Sequence, residues 1–578
     1  MNTDKLLFLV PYGALPVYLF PAARLADELV RRGYQVEWVK CAQGLLGACP
    51  VHYTLKQSHS LASMNRTCSW CRSYQDEVIR ISGFCGRVLY SQNPEVEIPD
   101  TQDSLRAFCY QDVAVGRLAL FCIKHKLVGR ADHNFELSSD DFDVWRSHVI
   151  AMVSMLNALR QWFGENESSR TQIVTLNMYY PLNSAVVYWC KNRGIPTINF
   201  NLGYSVSEVY ESYSVSRQPT DSWMSDLARY YEKNCQEIRY SSEDVLHVRK
   251  FLESAYGALD VKNYSSSRNW DLPKLQEQLG LQKYKDKYIV LALISSEDEI
   301  VGSELFFGKR FGEHPRAAFL DQKAWILKLM QTLSTDPDVV LIVRPHPREV
   351  RYYPESWGWL KEHSKQYCNV IINDQPGVSF YDLLDLVDLS LVSISSAAID
   401  SMLVGVPVVS IWPDQTPWAL PQEFTNFSDE AGYFGLLSEL IRNRRPRDAS
   451  YGEYSSGFLA FLVGGCNIYF DHNNFWNRSR DIEKKEKERR MQLDLPVLSY
   501  EDYSKSWSIK EFEISKLLRF LDSGREIHED RIQLQSGSHT LMMSDVVNEF
   551  RQLYLGHSFK CHQNSRVLNK SLAALGLV

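Results

Sequence analysis

The chain has 578 residues, 45% hydrophobic and 23% charged, with a formal net charge of −7. An apolar share near half excludes wholesale disorder. The mild acidity argues against a dedicated nucleic-acid binder, which carries a basic domain or stripe, and no apolar run reaches the ~18 residues that a membrane helix needs.

The N-terminal apolar run 6–10 (LLFLV) stops at Pro11, too short and wrongly flanked for a signal peptide. A cytoplasmic protein is expected, open to peripheral contact with the inner face of the membrane. The run reads as a parallel strand buried on both faces. A loop over 11–20 is expected next, then a helix through Ala23, Leu25, Ala26, Leu29 and Val30, ended by Gly33, then a strand at 36–39. This is the β–loop–α–turn–β unit of a doubly wound sheet.

Residues 41–135 are rich in cysteine and turns and read as an insertion. Helix 142–165, strand 172–178, helix 183–193 and strand 195–200 then continue the α/β cadence. Residues 215–285 are polar and read as a helical linker. A second series begins with a strand at 288–294 and a helix at 320–335. Strands at 339–343, 369–372, 389–393 and 407–411 follow, with helices at 379–387 and 395–404, the latter stopped by Gly405. The expected class is α/β. Two Rossmann-like lobes face a cleft, with a cysteine-bearing insertion and a helical C-terminal extension. The expected divisions are 1–214 with its insertion at 41–135, linker 215–285, second lobe 286–435 and extension 436–578. In the extension, 457–470 reads as a buried strand or loop, 480–490 as a solvated run of mixed charge and 545–555 as a helix. The arginines Arg442, Arg444, Arg445 and Arg447 read as surface charge or as a lipid-headgroup contact.

Among the 12 cysteines, Cys68-Ser-Trp-Cys71 has C-x-x-C spacing, with Cys49 upstream. A structural zinc site takes four ligands, and one pair falls short of that. Cys49, Cys68 and Cys71 are the set that spacing nominates, but no metal is expected.

Ligands of doubly wound sheets bind outside the carboxyl ends of the strands, and that rule selects the residues to weigh. In the first lobe it picks Tyr12 and Gly13 after the first strand. It also picks Asn201 and Gly203 after the strand at 195–200, with Glu208 beyond. In the second lobe it picks three stretches. Ser393–Ala398 is a small-residue strand-to-helix turn, where Ser395, Ser396 and backbone N–H groups suit a phosphate. Asp400, one turn on, suits ribose hydroxyls. Arg344-Pro-His-Pro-Arg348 is a stiff loop in which Arg344 and Arg348 suit phosphate or carboxylate, and His346 suits a donor or an acid. Ser295–Glu299 carries the carboxylates Glu297 and Asp298, candidates for base or nucleophile. No DxD metal motif stands out, so chemistry without a metal cofactor is expected.

The N-terminal unit resembles lobe one of GT-B glycosyltransferases. The series RPHPR and SISSAAIDSMLVGVPVV resembles the donor lobe of bacterial capsule and surface-polysaccharide transferases, the capsule Kdo transferases among them. More distantly it is similar to CDP-glycerol polymerases and the UDP-GlcNAc 2-epimerase fold. CSWC followed by Gly116-Arg117 is similar to capsule-biosynthesis proteins of this group. The resemblance spans roughly 1–435 and implies a nucleotide-sugar donor (CMP-, UDP- or GDP-linked) in lobe two and a glycan or lipid-linked glycan acceptor in lobe one. It implies Arg344 and His346 on the donor phosphates or sugar, Ser395 and Ser396 on phosphate, and Asp400 on ribose, where many members have Glu. Many relatives have Asn-His-Gly where this chain has Asn201-Leu-Gly203. The expected partners are therefore the donor, the acceptor glycan and other polysaccharide-assembly proteins. Two rivals share the residues: a polyol-phosphate transferase of the CDP-glycerol or CDP-ribitol type, and a non-catalytic GT-B scaffold.

Overall fold

A computed structural model describes residues 5–11, 16–49, 61–81, 86–91, 93–128, 136–165, 171–202, 212–217, 223–235, 237–238, 240–241, 272–313, 317–352, 357–375, 377–412, 418–472, 507–523 and 540–541. Its strands in chain order are β1 (Lys5–Leu9), β2 (Gln35–Cys41), β3 (Gly86–Tyr90), β4 (Thr171–Leu176), β5 (Thr197–Leu202), β6 (Ser212–Ser216) and β7 (Tyr240–Ser241). There follow β8 (Tyr288–Leu293), β9 (Val339–Arg344), β10 (Val370–Ile372), β11 (Leu389–Val392), β12 (Val408–Ser410), β13 (Asn467–His472), β14 (Trp507–Ile509) and β15 (Thr540–Leu541).

Two sheets carry the fold. The first has the order β14-β13-β6-β5-β4-β1-β2-β3 and the second β10-β9-β8-β11-β12; β7 and β15 form a separate pair. All pairings from β3 across to β5 are parallel, as are all in the second sheet. In each parallel core the first strand is central. The next two lie to one side and the following two to the other. This is the doubly wound arrangement, with its switch point beside the central strand. The expected two Rossmann-like lobes are present.

The local causes are plain in β1. Leu6, Phe8 and Val10 enter the core under helix Pro16–Arg31, while Leu7 and Leu9 enter the core under helix Ser139–Glu165. A strand buried on both faces needs apolar side chains at every position. Gly33 (φ 89°) and Gly405 (φ 78°) take the left-handed conformation at helix ends. Gly405 donates to the Met402 carbonyl at 2.8 Å, the cap geometry a side chain would strain.

Four stretches differ from expectation. The loop read over 11–20 gives way to helix at Pro16. A proline at the first helical position loses no intrahelical bond, so this proline starts the helix rather than breaking it. The presumed insertion contributes β3, the sheet edge, in register with β2 (Trp38 opposite Arg87). Its C-x-x-C lies on helix Leu61–Ile81. Across the expected boundary at 214/215, β6 extends the first sheet, and in the presumed linker helix Trp223–Asn234 buries Leu227 and Tyr231 in the second lobe's core. The C-terminal extension is not all helical. Stretch 457–470 splits into the end of helix Ala449–Ala460, a π-turn at Phe461–Gly465 and β13.

The chain thereby returns to its first sheet, since β13 pairs antiparallel with β6 and with β14. Helix Glu511–Ser523 covers that face with Ile514, Leu517 and Phe520. It is held by a buried ion pair, Lys516 to Glu513 (2.9 Å), whose lysine also donates to the Asn467 carbonyl (2.8 Å). The arginine cluster is also engaged. Arg445 joins Tyr451 and Glu423, Arg447 donates to the carbonyls of Leu384 and Val387, and Arg444 donates to that of Asp286. These arginines tie loops together. The mixed-charge run at 480–490 and the helix expected at 545–555 lie outside the described residues. Among the described residues no helix is long and apolar enough to cross a membrane.

Helix Glu297–Phe307 leaves the carboxyl end of β8 and packs against the first lobe. Val301 and Leu305 join that lobe's core. Phe306 stacks edge-on with Tyr179, just past β4 (4.8 Å), and its carbonyl accepts from the Tyr188 hydroxyl (2.8 Å). The carboxyl ends of the two sheets therefore meet around one helix.

Candidate functional site

The carboxyl edge of the second sheet gathers four segments: Ser295–Asp298 after β8, Arg344–Arg348 at β9, Asn373 after β10 and Ser393–Asp400 after β11. The edge is firmly built. Ser295 makes two hydrogen bonds with one side chain, its N–H donating to Gln322 Oε1 (2.8 Å) and its carbonyl accepting from Nε2 (3.1 Å). Its Oγ accepts from the Ile394 N–H (3.1 Å), and Trp418 Nε1 donates to the Ile394 carbonyl (3.2 Å). The loops on either side of the switch point are thereby fixed to each other.

Asp298 is buried (1% exposed) at the start of helix Glu297–Phe307. Its Oδ2 meets Arg348 Nη2 at 2.9 Å and Lys124 Nζ of the first lobe at 3.5 Å, while Oδ1 accepts from Ser296 Oγ. Burial works against its charge, but Lys124, the Ser296 hydroxyl and Arg348 together hold its carboxyl below the usual range. Such a carboxylate is a weak base at neutral pH. Arg348 spends its other nitrogen on Glu299 (2.5 Å). Its place in the fold is therefore an ion-pair clamp on this helix, with its charge turned to carboxylates.

The sequence reading missed Glu349. Its buried Oε1 accepts from the Glu297 N–H (3.0 Å) and lies 3.0 Å from the Ser296 hydroxyl, whose single proton is shared with Asp298, and so occupies the N-terminus of the helix. Its position after Arg348 was visible, but its capping of a helix 50 residues earlier was not.

His346 accepts the Arg348 backbone N–H on Nδ1 (3.2 Å), which leaves the ring proton on Nε2. Burial pushes its pKa down to about 4, with the Arg348 charge acting in the same direction. At neutral pH it is an uncharged hydrogen-bond donor and not an imidazolium acid.

Arg344 behaves differently from Arg348. It is 6% exposed, and among the described residues no hydrogen bond or ion pair reaches its guanidinium. Burial pulls its pKa down to about 10, opposed by the Asp382 charge. Asp382 is itself engaged in capping, accepting from the Ser379 N–H (3.0 Å).

At the turn after β11, Ser395 Oγ accepts from the Ala397 N–H (3.3 Å) and Ser396 is exposed. The helix there, Ala397–Leu403, is only two turns long. Asp400 is partly buried, and desolvation pushes its carboxyl up to about 7.

In the first lobe Asn201 is buried and its Oδ1 accepts from the Met178 N–H (3.0 Å), so it fastens β5 to the loop after β4. Tyr12, Gly13, Gly203 and Glu208 lie outside the described residues. Cys68 and Cys71 sit one helical turn apart, with burial raising the Cys68 thiol. Among the described residues no group of three or more His, Cys, Asp or Glu side chains is placed to hold a metal.

No family model matches the sequence, and no curated protein matches it. Solved structures with which the chain shares similarity include the calicheamicin glycosyltransferase CalG4 (14% identity, 80% of this chain and 95% of that chain, TM-score 0.21). Two others are a UDP-glucose:anthocyanidin 3-O-glucosyltransferase in complex with UDP (9%, 85% and 99%, TM-score 0.26) and a glycosyltransferase from Rickettsia africae (10%, 86% and 99%, TM-score 0.26).

Proposed function

We propose that this chain is a GT-B type glycosyltransferase that moves a sugar from a nucleotide-sugar donor to a growing surface polysaccharide, with a glycan or lipid-linked glycan as acceptor. The observation that carries the reading is the carboxyl edge of the second sheet. There an unpaired buried cation, Arg344, and the small turn at Ser395–Ser396 lie beside the switch point between β8 and β11. In this reading Arg344, the Ser395–Ser396 turn and the His346 Nε2–H meet the charge that develops on the leaving nucleotide. Asp400 takes the ribose. Arg348 and Asp298 hold the helix that carries Glu297, and Glu297 faces the acceptor as base. No metal enters this scheme, so transfer should persist in EDTA.

A thermal-shift screen with CMP-, CDP-, UDP- and GDP-linked donors tests it. At least one donor should stabilise the protein, and Arg344→Ala should remove that stabilisation without unfolding the chain. A response only to CDP-polyols would move the reading to a polyol-phosphate transferase. The non-catalytic scaffold draws on one observation, the neutralised state of Asp298. Silence across all donors would favour it.

A further inference from the structure

The register of β9 and β10 places a buried unsatisfied donor beside Arg344. Ile372 is the partner of Val343, and the Asn373 N–H continues the ladder to the Val343 carbonyl at 2.9 Å. Asn373 is therefore the partner of Arg344, on the same face of the sheet and one strand away, about 4.8 Å. Asn373 is 1% exposed, and its Oδ1 accepts from the Gln375 N–H (3.3 Å). That bond fixes the amide, so its other atom is the donor Nδ2, which is buried with no hydrogen-bond partner among the described residues. Two adjacent buried groups, a guanidinium and an amide NH2, thus present only donors.

Unpaired buried cations and unsatisfied donors are costly, and native folds keep few of them. We propose that Arg344 and Asn373 form a buried oxyanion pocket at the β9–β10 edge, which takes a phosphate or carboxylate group of the ligand through a charge-assisted fork from Arg344 and one hydrogen bond from Asn373. The chemistry needed is an acceptor-only anion with two oxygens in one plane, which suits a guanidinium fork. Burial depresses the Arg344 pKa and the Asp382 charge offsets this only in part, as expected of a cation with no hydrogen-bonded counter-ion among the described residues. Asn373 goes beyond the donor residues named above, and the pocket rests on the glycosyltransferase reading only for the identity of the anion.

The pocket makes a signed forecast about the empty protein. Arg344→Met removes a buried charge that no hydrogen bond or ion pair among the described residues compensates, and it keeps the volume, so it should raise the melting temperature of the ligand-free chain. Asn373→Asp supplies the missing anion from within. It too should raise the melting temperature and should close the pocket to added anions.

The experiment is a thermal-denaturation series on the full chain and both variants, with no addition, with inorganic pyrophosphate, with glucuronate, and with UDP, CMP and GDP. Wild type should rise by about 2 °C or more with pyrophosphate or with glucuronate, and the active one identifies the anion as phosphate or carboxylate. Both variants should start higher and respond to neither. Ligand-free variants that melt lower than wild type, variants that keep the full anion response, or a wild type indifferent to both anions would each overturn the pocket. The nucleotide arms separate this outcome from the donor reading. A nucleotide response that survives Arg344→Met overturns the pocket and the donor role of Arg344, while nucleotide binding by the chain stands. A pyrophosphate response that depends on Arg344, with no nucleotide response, supports the pocket and sinks the donor reading.

Discussion

Two buried charges stand at the same sheet edge in opposite conditions. Asp298 has more partners than one carboxylate needs: a lysine from the other lobe, an arginine and a hydroxyl. Arg344, in the neighbouring strand, has no hydrogen bond or ion pair among the described residues, only the charge of Asp382 beyond ion-pair distance. A charge supplied with partners by its own fold is part of the framework. One left without them burdens the empty protein and becomes useful when a ligand brings the counter-charge. By this contrast Asp298, conspicuous in the sequence as part of an acidic run, is assigned to holding the lobes together. Arg344 is the residue proposed to bind.

The comparison can be broken or sharpened by removing partners one at a time. The largest loss is expected at the second fully provided pair. Glu513→Gln strands Lys516 in the core beneath helix Glu511–Ser523 and should cost about 3–5 kcal/mol in urea unfolding. Asp298→Asn should cost less, about 2–3 kcal/mol, because Lys124 and Arg348 keep some solvent contact and can rehydrate. Lys124→Met, which removes only the longer of the two bridges, should cost about 0.5–1 kcal/mol. Equal costs for Lys124→Met and Asp298→Asn would mean that the inter-lobe bridge, and not Arg348, carries the site.

An effect of another kind is a change of slope with pH. Asp400 has a folded-state pKa raised to about 7 by burial, above its unfolded value near 3.9. The folded protein therefore binds more protons between those values, and stability falls as pH rises through that window. Asp400→Asn should remove the fall, so the variant gains on wild type from about pH 4 to pH 7 and runs parallel above. Asp298 has the opposite sign. Its lowered pKa contributes stability present above the unfolded value and lost as pH drops through the folded one.

Much of the frame was legible because short-range patterns encode it. Continuous apolar runs marked β1, β8, β9 and β11, and Gly33 and Gly405 marked helix ends. What stayed hidden depends on distance along the chain. β6 pairs with β13 from some 250 residues away, and no local periodicity in 467–472 says which edge it will meet. The helix at Pro16 was hidden because proline reads as a break unless its position in the first turn is known. In the site, the motif Arg344–Arg348 was found, but sequence could not tell its two arginines apart. One is consumed by Asp298 and Glu299, which reach it through the fold, and the other is left alone. Asn373 and Glu349 carried no signal, since their roles come from register across β9 and β10 and from a cap made in space.

The contrast between the two charges is tested most directly by the unfolding free energies of Arg344→Met and Asp298→Asn, measured side by side on the ligand-free chain. Opposite signs are expected, with Arg344→Met more stable than wild type and Asp298→Asn less stable. A loss of stability in Arg344→Met comparable to that in Asp298→Asn would contradict it, since Arg344 would then be as much a part of the framework as its neighbour.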